Sequence, residues 1–348
     1  MNSRYLSYVI ILLLVLCLSG ITIFLANGTG NFVNKIDDQT SNASSYLSVT
    51  CGGQLGNQLF QTSTGLVYAW DHNLKPVFPG LNRNSDNLSY NKDNFFFRLD
   101  SSEAPFPLKK YSTSHPNYEA LPDNLKNVIL EGGFFSWKYF HHHRDKILEI
   151  YAPAQKVVDK LNSKYEKLIS LDNTVAIHVR TYSKSVHEEG LHFVGWKYFK
   201  LAMDKFPADS QFVVFSDRMN WTKEKFRTKF PEKDFIFIEG NDHIEDLFLM
   251  SMMKNQILSK STYSWWAAYL NKNESKLVCA PVKKNSGLPL WIKQPMQNFL
   301  NLFRKIPFWS NEDYYLPEWN IVYYELEPYP EDINDFGDIT KSVSPMDK

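Results

Sequence analysis

The 348-residue chain has only three cysteines, and no two stand at the C-x-x-C spacing of a zinc or dithiol redox site. Cys17 lies in an apolar run, which leaves Cys51 and Cys279 as either one disulfide or two buried thiols. There is also no excess of either charge. Lys+Arg and Asp+Glu both number 38, without a basic tract or helix-turn-helix spacing, so nothing points to nucleic acid. The sequence has no His-Glu-x-x-His, no Gly-x-Ser-x-Gly, no Walker loop and no Asp-x-Asp at a strand end. These absences exclude the common zinc-hydrolase, serine-hydrolase and P-loop chemistries. A diphosphate ligand would have to be neutralised by cationic side chains and helix amides. His141 to His143 are consecutive and do not share one helical face, so they read as a partly solvated ridge, and no metal site is expected.

Residues Tyr5 to Ala26, YLSYVIILLLVLCLSGITIFLA, are free of charge and reach the length of about 20 residues that a membrane-spanning helix needs. Phe24 fits poorly before a cleavage site, so the run reads as a retained signal-anchor with a short cytosolic tail and a luminal body. Residues 27–47 are polar and rich in Ser, Asn and Gly, as expected of a flexible stem. Asn-x-Ser/Thr sequons at Asn27, Asn42, Asn87, Asn220 and Asn273 are compatible with a secretory lumen.

With 43% hydrophobic residues the body can bury a large core, and its length suggests about two domains at ~150 residues each. The boundaries expected are 1–5 tail, 6–26 anchor, 27–47 stem, 48–165 and 166–325 as two α/β halves, and 326–348 as a tail. In the second half, strand patterns at Val175–Arg180, Gln211–Ser216, Phe235–Glu239, Gln256–Ser259 and Lys276–Ala280 alternate with helical ones. That alternation predicts a parallel, doubly wound sheet. The first half predicts strands at Leu47–Cys51 and Val128–Glu131, a GGQLGNQ loop, helices over Leu59–Ala69 and SWKYFHHHRDKILEI, and surface loops over residues 80–120. The fold class is therefore α/β, with two Rossmann-like halves facing a cleft, preceded by a transmembrane helix and stem. The aromatic segment WSNEDYYLPEWNIVYYELEPYP is expected to pack back across a domain.

Ligands of open α/β sheets sit beyond the carboxyl ends of the strands, where His178, Arg180, Ser216 and Ser261 all fall. Ser261 and Thr262 open an almost wholly apolar helix, where they serve either as an ordinary N-cap or as part of an anion site. Arg180, at the end of VAIHVR, is suited to a bidentate phosphate contact or to a local salt bridge. GGQLGNQLFQ allows close backbone approach, and Asn57 and Gln58 offer amides to sugar hydroxyls.

Taken together, GGQLGNQLFQ, EGGFFSWKYF, VAIHVR, FVVFSDRMNW and DLFLMSMMKNQILSKSTYSWWAAYL resemble the family 11 glycosyltransferases, the α-1,2-fucosyltransferases, over about residues 48 to 325. The resemblance implies a two-domain GT-B type enzyme of the Golgi membrane, single-pass and type II. It would transfer fucose from GDP-fucose, without a metal or other cofactor, to O2 of a galactose-terminated glycan on glycoprotein or glycolipid. It assigns Arg180 as catalytic, holding the β-phosphate beside His178. Ser261, Thr262 and Tyr263 match the phosphate loop, Ser216, Asp217 and Trp221 a Ser-Asp…Trp block, and Asn57 and Gln58 the sugar-facing loop. Thr181 and Ser183 depart from the family's second Arg and its Asp, and Lys260 replaces its usual Asn. No general base stands out, with Asp217, His187 and Glu188 candidates by type alone.

Overall fold

The computed structural model describes residues 45–113, 117–182, 193–284 and 311–336. The expected span Tyr5–Ala26, most of the stem, His187, Glu188, Ser183, Asn27, Asn42 and the last twelve positions lie outside the described residues. Among the described residues no helix is long and apolar enough to cross a membrane.

Two all-parallel sheets organise the body. The first has four strands in the order β2-β1-β4-β3, with β1 Tyr46–Val49, β2 Lys75–Pro76, β3 Lys109–Ser112 and β4 Val128–Glu131. The second has six: β5 Thr174–Val179, β6 Gln211–Ser216, β7 Phe235–Phe237, β8 Asn255–Ile257, β9 Val278–Lys283 and β10 Asn320–Tyr324. Their order is β10-β9-β8-β5-β6-β7, so the winding reverses between β5 and β8. The helices are α1 Leu55–Asp71, α2 Leu88–Asn94, α3 Arg144–Ile150, α4 Gln155–Ile169, α5 Trp196–Met203, α6 Met219–Lys229, α7 His243–Met252, α8 Thr262–Leu270 and the short α9 Asn311–Tyr314.

Every residue of β5 is buried, as a central parallel strand covered on both faces requires. Its alternation separates two layers of core. Val175, Ile177 and Val179 face the cluster containing Phe199, Trp221 and Phe226, while Ala176 joins Val213 and Phe215 on the other face. That second cluster continues through α8 and α1 into the four-stranded sheet, taking in Leu47, Val49, Phe60, Trp265 and Trp266. Trp265 lies 4.6 Å from Phe60 and stacks on Tyr269 at 5.0 Å; Trp266 stacks on Phe140 at 5.3 Å. Burying side chains of this size contributes about 1.5–3 kcal/mol each, so α8 is fixed on all sides.

Several expectations need correction. The stem as drawn loses Tyr46 and Leu47 to β1. The stretch expected as surface loops contains α2 and the polar edge strand β3. The GGQLGNQ loop is shorter than expected, because α1 starts at Leu55 and places Asn57 and Gln58 in its first turn. SWKYFHHHRDKILEI is broken, its histidines forming a 3-10 turn before α3. The aromatic tail does pack back: β10 pairs with β9, and Trp265 Nε1 donates to the Tyr314 carbonyl at 2.6 Å. Cys51 and Cys279 are both buried free thiols.

Candidate active site

The register of β5 on β6 pairs Val179 with Ser216, so the next residues, Arg180 and Asp217, leave the sheet side by side. Arg180 Nη1 lies 3.2 Å from Asp217 Oδ2. The Thr181 backbone N–H and Oγ1 both donate to Asp217 Oδ1 at 3.1 Å. The guanidinium side chain is 34% exposed whereas the carboxylate side chain is 11% exposed, which leaves the cation an open face and the anion almost none. Burial raises the Asp217 carboxyl, against the opposing pull of Arg180 and the Thr181 donors.

On the other side, β5 pairs Ile177 with Ile257 of β8. His178 is buried, its Nδ1 2.6 Å from Ser259 Oγ and its ring 5.4 Å from that of Tyr263. Burial and the Arg180 charge push its imidazole down to about 3, so it stays neutral. Tyr182 donates its hydroxyl to the Lys260 carbonyl at 2.6 Å, tying the strand end to the loop before α8. Its backbone has φ +58°, a left-handed conformation costly for a non-glycine residue, and Arg180 lies 5.2 Å from its ring centroid.

Ser261 caps α8 by accepting from the Tyr263 N–H at 3.3 Å. Thr262 Oγ1 donates to Asn57 Oδ1 at 2.8 Å, which joins the starts of α8 and α1. Gly56 permits that approach, since a Cβ there would lie 2.6 Å from Thr262 C and Tyr263 N. The amino ends of α1 and α8 therefore meet, and Tyr182 ties the loop before α8 to the strand end that carries Arg180, at the β5–β8 switch point.

The other residues singled out from the sequence have different duties. Gln58 is fully buried; its amide donates to the Gly53 and Asp86 carbonyls at 2.6 and 2.9 Å and accepts from Asn91 at 2.7 Å. It supports the loop and is not free to meet a sugar. Ser216 Oγ lies 2.8 Å from Thr222 Oγ1 and accepts from the Arg218 N–H. Trp221 is fully buried, with Nε1 3.3 Å from Asp332 Oδ1, and the hydroxyl of the partly buried Tyr263 donates to the His243 carbonyl. Asn87 and Asn220 are exposed, but Trp221 and Thr222 of the second sequon are buried. The Asn273 amide is spent on the Lys254 carbonyl at 2.9 Å. Sequence reading missed Ser259 and Tyr182: a serine within SKS and an aromatic beyond a strand carry no pattern of their own.

The sequence pattern described as "Glycosyl transferase family 11" matches residues 24–294. The chain belongs to this family. It is therefore a glycosyltransferase, and its relatives give the family some breadth. It is 27% identical over 264 residues to an Escherichia coli protein named alpha-1,2-colitosyltransferase, covering 66% of this chain and 89% of that one. It is 26% identical over 333 residues to galactoside alpha-(1,2)-fucosyltransferase 1 of Mus musculus, covering 86% and 78%. Among solved structures, the fucosyltransferase NodZ from Bradyrhizobium aligns over 65% of this chain and 92% of that one, with 13% identity and a TM-score of 0.49.

Proposed function

We propose that this glycosyltransferase moves L-fucose from GDP-fucose to O2 of a terminal β-galactose, inverting the anomeric centre. The observation that carries the reading is that Arg180 and the amino end of α8 both follow the carboxyl ends of the adjacent strands β5 and β8, whose loops are tied together by Tyr182 and the Lys260 carbonyl. The name of the Mus musculus relative supports the donor sugar, and the names of both relatives support the linkage.

In this reaction the bond between fucose C1 and the β-phosphate oxygen breaks, and its electron pair leaves with GDP. Charge therefore grows on the diphosphate while the sugar becomes oxocarbenium-like. Arg180 and the first-turn amides of α8 stabilise the departing oxygen, and they are in place before the bond breaks. Asp217 and Thr181 hold the guanidinium. Both Asp217 oxygens are engaged by these partners, so its role is to orient Arg180 and not to take the acceptor's proton. The acceptor hydroxyl attacks C1 from the face opposite the diphosphate, and a dissociative path asks little of a base.

The run Tyr5–Ala26 and the polar stretch after it support a single-pass, type II Golgi enzyme with a luminal body. Exposed Asn87 is the best-placed glycan acceptor of the described sequons. Protection of the body from protease in sealed vesicles, and a glycosidase-sensitive mobility shift lost in Asn87→Gln, check both points.

The decisive assay supplies the full chain with GDP-fucose and lactose and reads product linkage by NMR. GDP-colitose belongs alongside, because a relative is named for that sugar. No transfer, together with undiminished glycan binding by Arg180→Ala, would instead make the protein a tethered glycan-binding relative. A linkage other than α-1,2 would retain the transferase and reject the acceptor position. Transfer to a polypeptide hydroxyl would favour the protein O-fucosyltransferase reading.

A further inference from the structure

The far ends of the two helices that begin at the active site hold a second cluster of groups. Asp71 is the last residue of α1. Its two carboxylate oxygens are divided between consecutive imidazoles: His142 Nε2 lies 2.9 Å from Oδ2, and His143 Nε2 lies 2.7 Å from Oδ1. All three ligand atoms lie within 4.8 Å of one another. The histidines are partly solvated, as expected of HHH, and their 3-10 turn closes back against the end of α1.

That turn is held firmly on both sides. Phe140, just before it, is fully buried and stacked on Trp266 of α8. Arg144, just after it, donates to the Tyr269 and Asn271 carbonyls at 3.1 Å, at the carboxyl end of α8. The His143 ring also packs edge-on against Trp70 at 5.7 Å. Lys146 is held over the Trp70 ring at 3.8 Å.

We infer that Asp71, His142 and His143 form a binding site for a divalent transition-metal ion of the zinc type, clasping the carboxyl end of α1 to the turn anchored on α8. Two neutral imidazole nitrogens and one carboxylate are a donor set that such ions prefer over calcium or magnesium. Zn–N and Zn–O bonds of about 2.0–2.2 Å in a tetrahedron put ligand atoms about 3.3 Å apart. The present N···O separations of 2.7 and 2.9 Å, each to a different carboxylate oxygen, open by a few tenths of an ångström, and the three ligand atoms, now within 4.8 Å of one another, draw in to the same spacing. The side chains are 52%, 35% and 35% exposed for His142, His143 and Asp71, which gives them freedom to do so. Solvent then supplies the fourth ligand, and the ion displaces the protons that Nε2 otherwise shares with the carboxylate.

The test uses the full chain in detergent with every affinity tag removed, since a polyhistidine tag would bind the ion itself. Calorimetric titration with Zn²⁺ is expected to show one ion per chain with a micromolar Kd and an increase in Tm. Co²⁺ at the same site is expected to give the visible absorption bands of a low-symmetry nitrogen–oxygen environment. Asp71→Asn and the double variant His142→Gln/His143→Gln should each weaken Zn²⁺ binding by about tenfold or more, because even partners of metal ligands are worth 10- to 100-fold. Their Tm without metal should stay close to that of the parent, the three groups being surface residues. Absence of stoichiometric binding to the unmodified chain overturns the proposal without reference to any variant. Binding of equal strength in the double-histidine variant overturns it as well.

Discussion

Arg180 and Asp217 meet at 3.2 Å because β5 and β6 are paired with Val179 opposite Ser216, which makes the two charged residues the first beyond a shared sheet edge. The carboxylate is nearly buried and the guanidinium is not. The pair therefore behaves as a mount: Asp217 fixes the cation, and the cation's open face remains for a second anion.

Removing Arg180 should separate activity from stability. Arg180→Ala is expected to lower kcat by about 100- to 1,000-fold, the usual cost of losing one preorganised donor to a developing oxyanion. It also strands a buried carboxylate, which destabilises the fold. Arg180→Ala/Asp217→Asn should recover most of the lost Tm and none of the lost rate. Arg180→Lys should remain well below the parent, because a single ammonium does not span Asp217 and a phosphate as a planar fork does. Steady-state kinetics and thermal melts on the three variants check this; a rate that recovers with Tm would reduce Arg180 to a structural ion pair.

Gly56 provides a steric test of the contact between the two helix starts. Glycine to alanine inside a helix ordinarily stabilises it by about 1 kcal/mol. Here the new methyl would lie 2.6 Å from backbone atoms of Thr262 and Tyr263, which have no room to retreat beside buried Trp265 and Trp266. Gly56→Ala is expected to destabilise by about 1–3 kcal/mol and to lower GDP affinity, read by denaturant unfolding and calorimetry. A stabilised protein with parental affinity would refute the close approach.

What the sequence made legible follows burial. β5, β6 and α8 were readable because elements covered on both faces become continuous apolar runs, and the same runs placed His178, Arg180 and Ser261 at one sheet edge. Of the four edge strands, β7 was readable and the other three were not. Lys75–Pro76 is two residues long, Lys109–Ser112 is KKYS with mostly exposed side chains, and Asn320–Tyr324 sits within a long aromatic stretch. α4 was missed although QKVVDKLNSKYEKLI is amphipathic, its buried residues being only Val157, Leu161 and Leu168. Asn57 and Gln58 were read alike as neighbours in a loop. In the first turn of a helix they point about 100° apart, one to Thr262 and the other into the buried set with Asn91.

His178 should make stability pH-dependent on the acid side. Its folded-state pKa, about 3, lies below the unfolded value near 6.5. As pH falls below 6.5 the unfolded chain takes up a proton that the folded chain refuses, so stability present above 6.5 is lost progressively down to about 3. Comparing unfolding free energies at pH 7 and 4.5 should show a smaller loss in His178→Gln, which has no group to protonate there. An equal loss in both proteins would mean that this histidine is already charged in the native state.

Lys260 yields two effects of opposite sign on the alkaline side. Burial, aided by the neighbouring charge of Lys283, pushes its ammonium down to about 8 from an ordinary 10.5. Between those values the unfolded chain holds the proton and the folded chain does not, so the lysine's contribution makes stability rise with pH. GDP binding should move the other way. Lys260 immediately precedes the Ser261 cap, and a diphosphate nearby favours the protonated amine; as pH climbs through 8 that cation is lost and Kd increases. Bound GDP should accordingly shift the apparent midpoint above 8. Lys260→Asn, which restores the residue usual in the family, is expected to flatten both profiles. Calorimetric Kd values and urea midpoints from pH 7 to 10 measure them on one protein. Binding that stays level while stability climbs would place the Lys260 amine away from the diphosphate and leave only its burial.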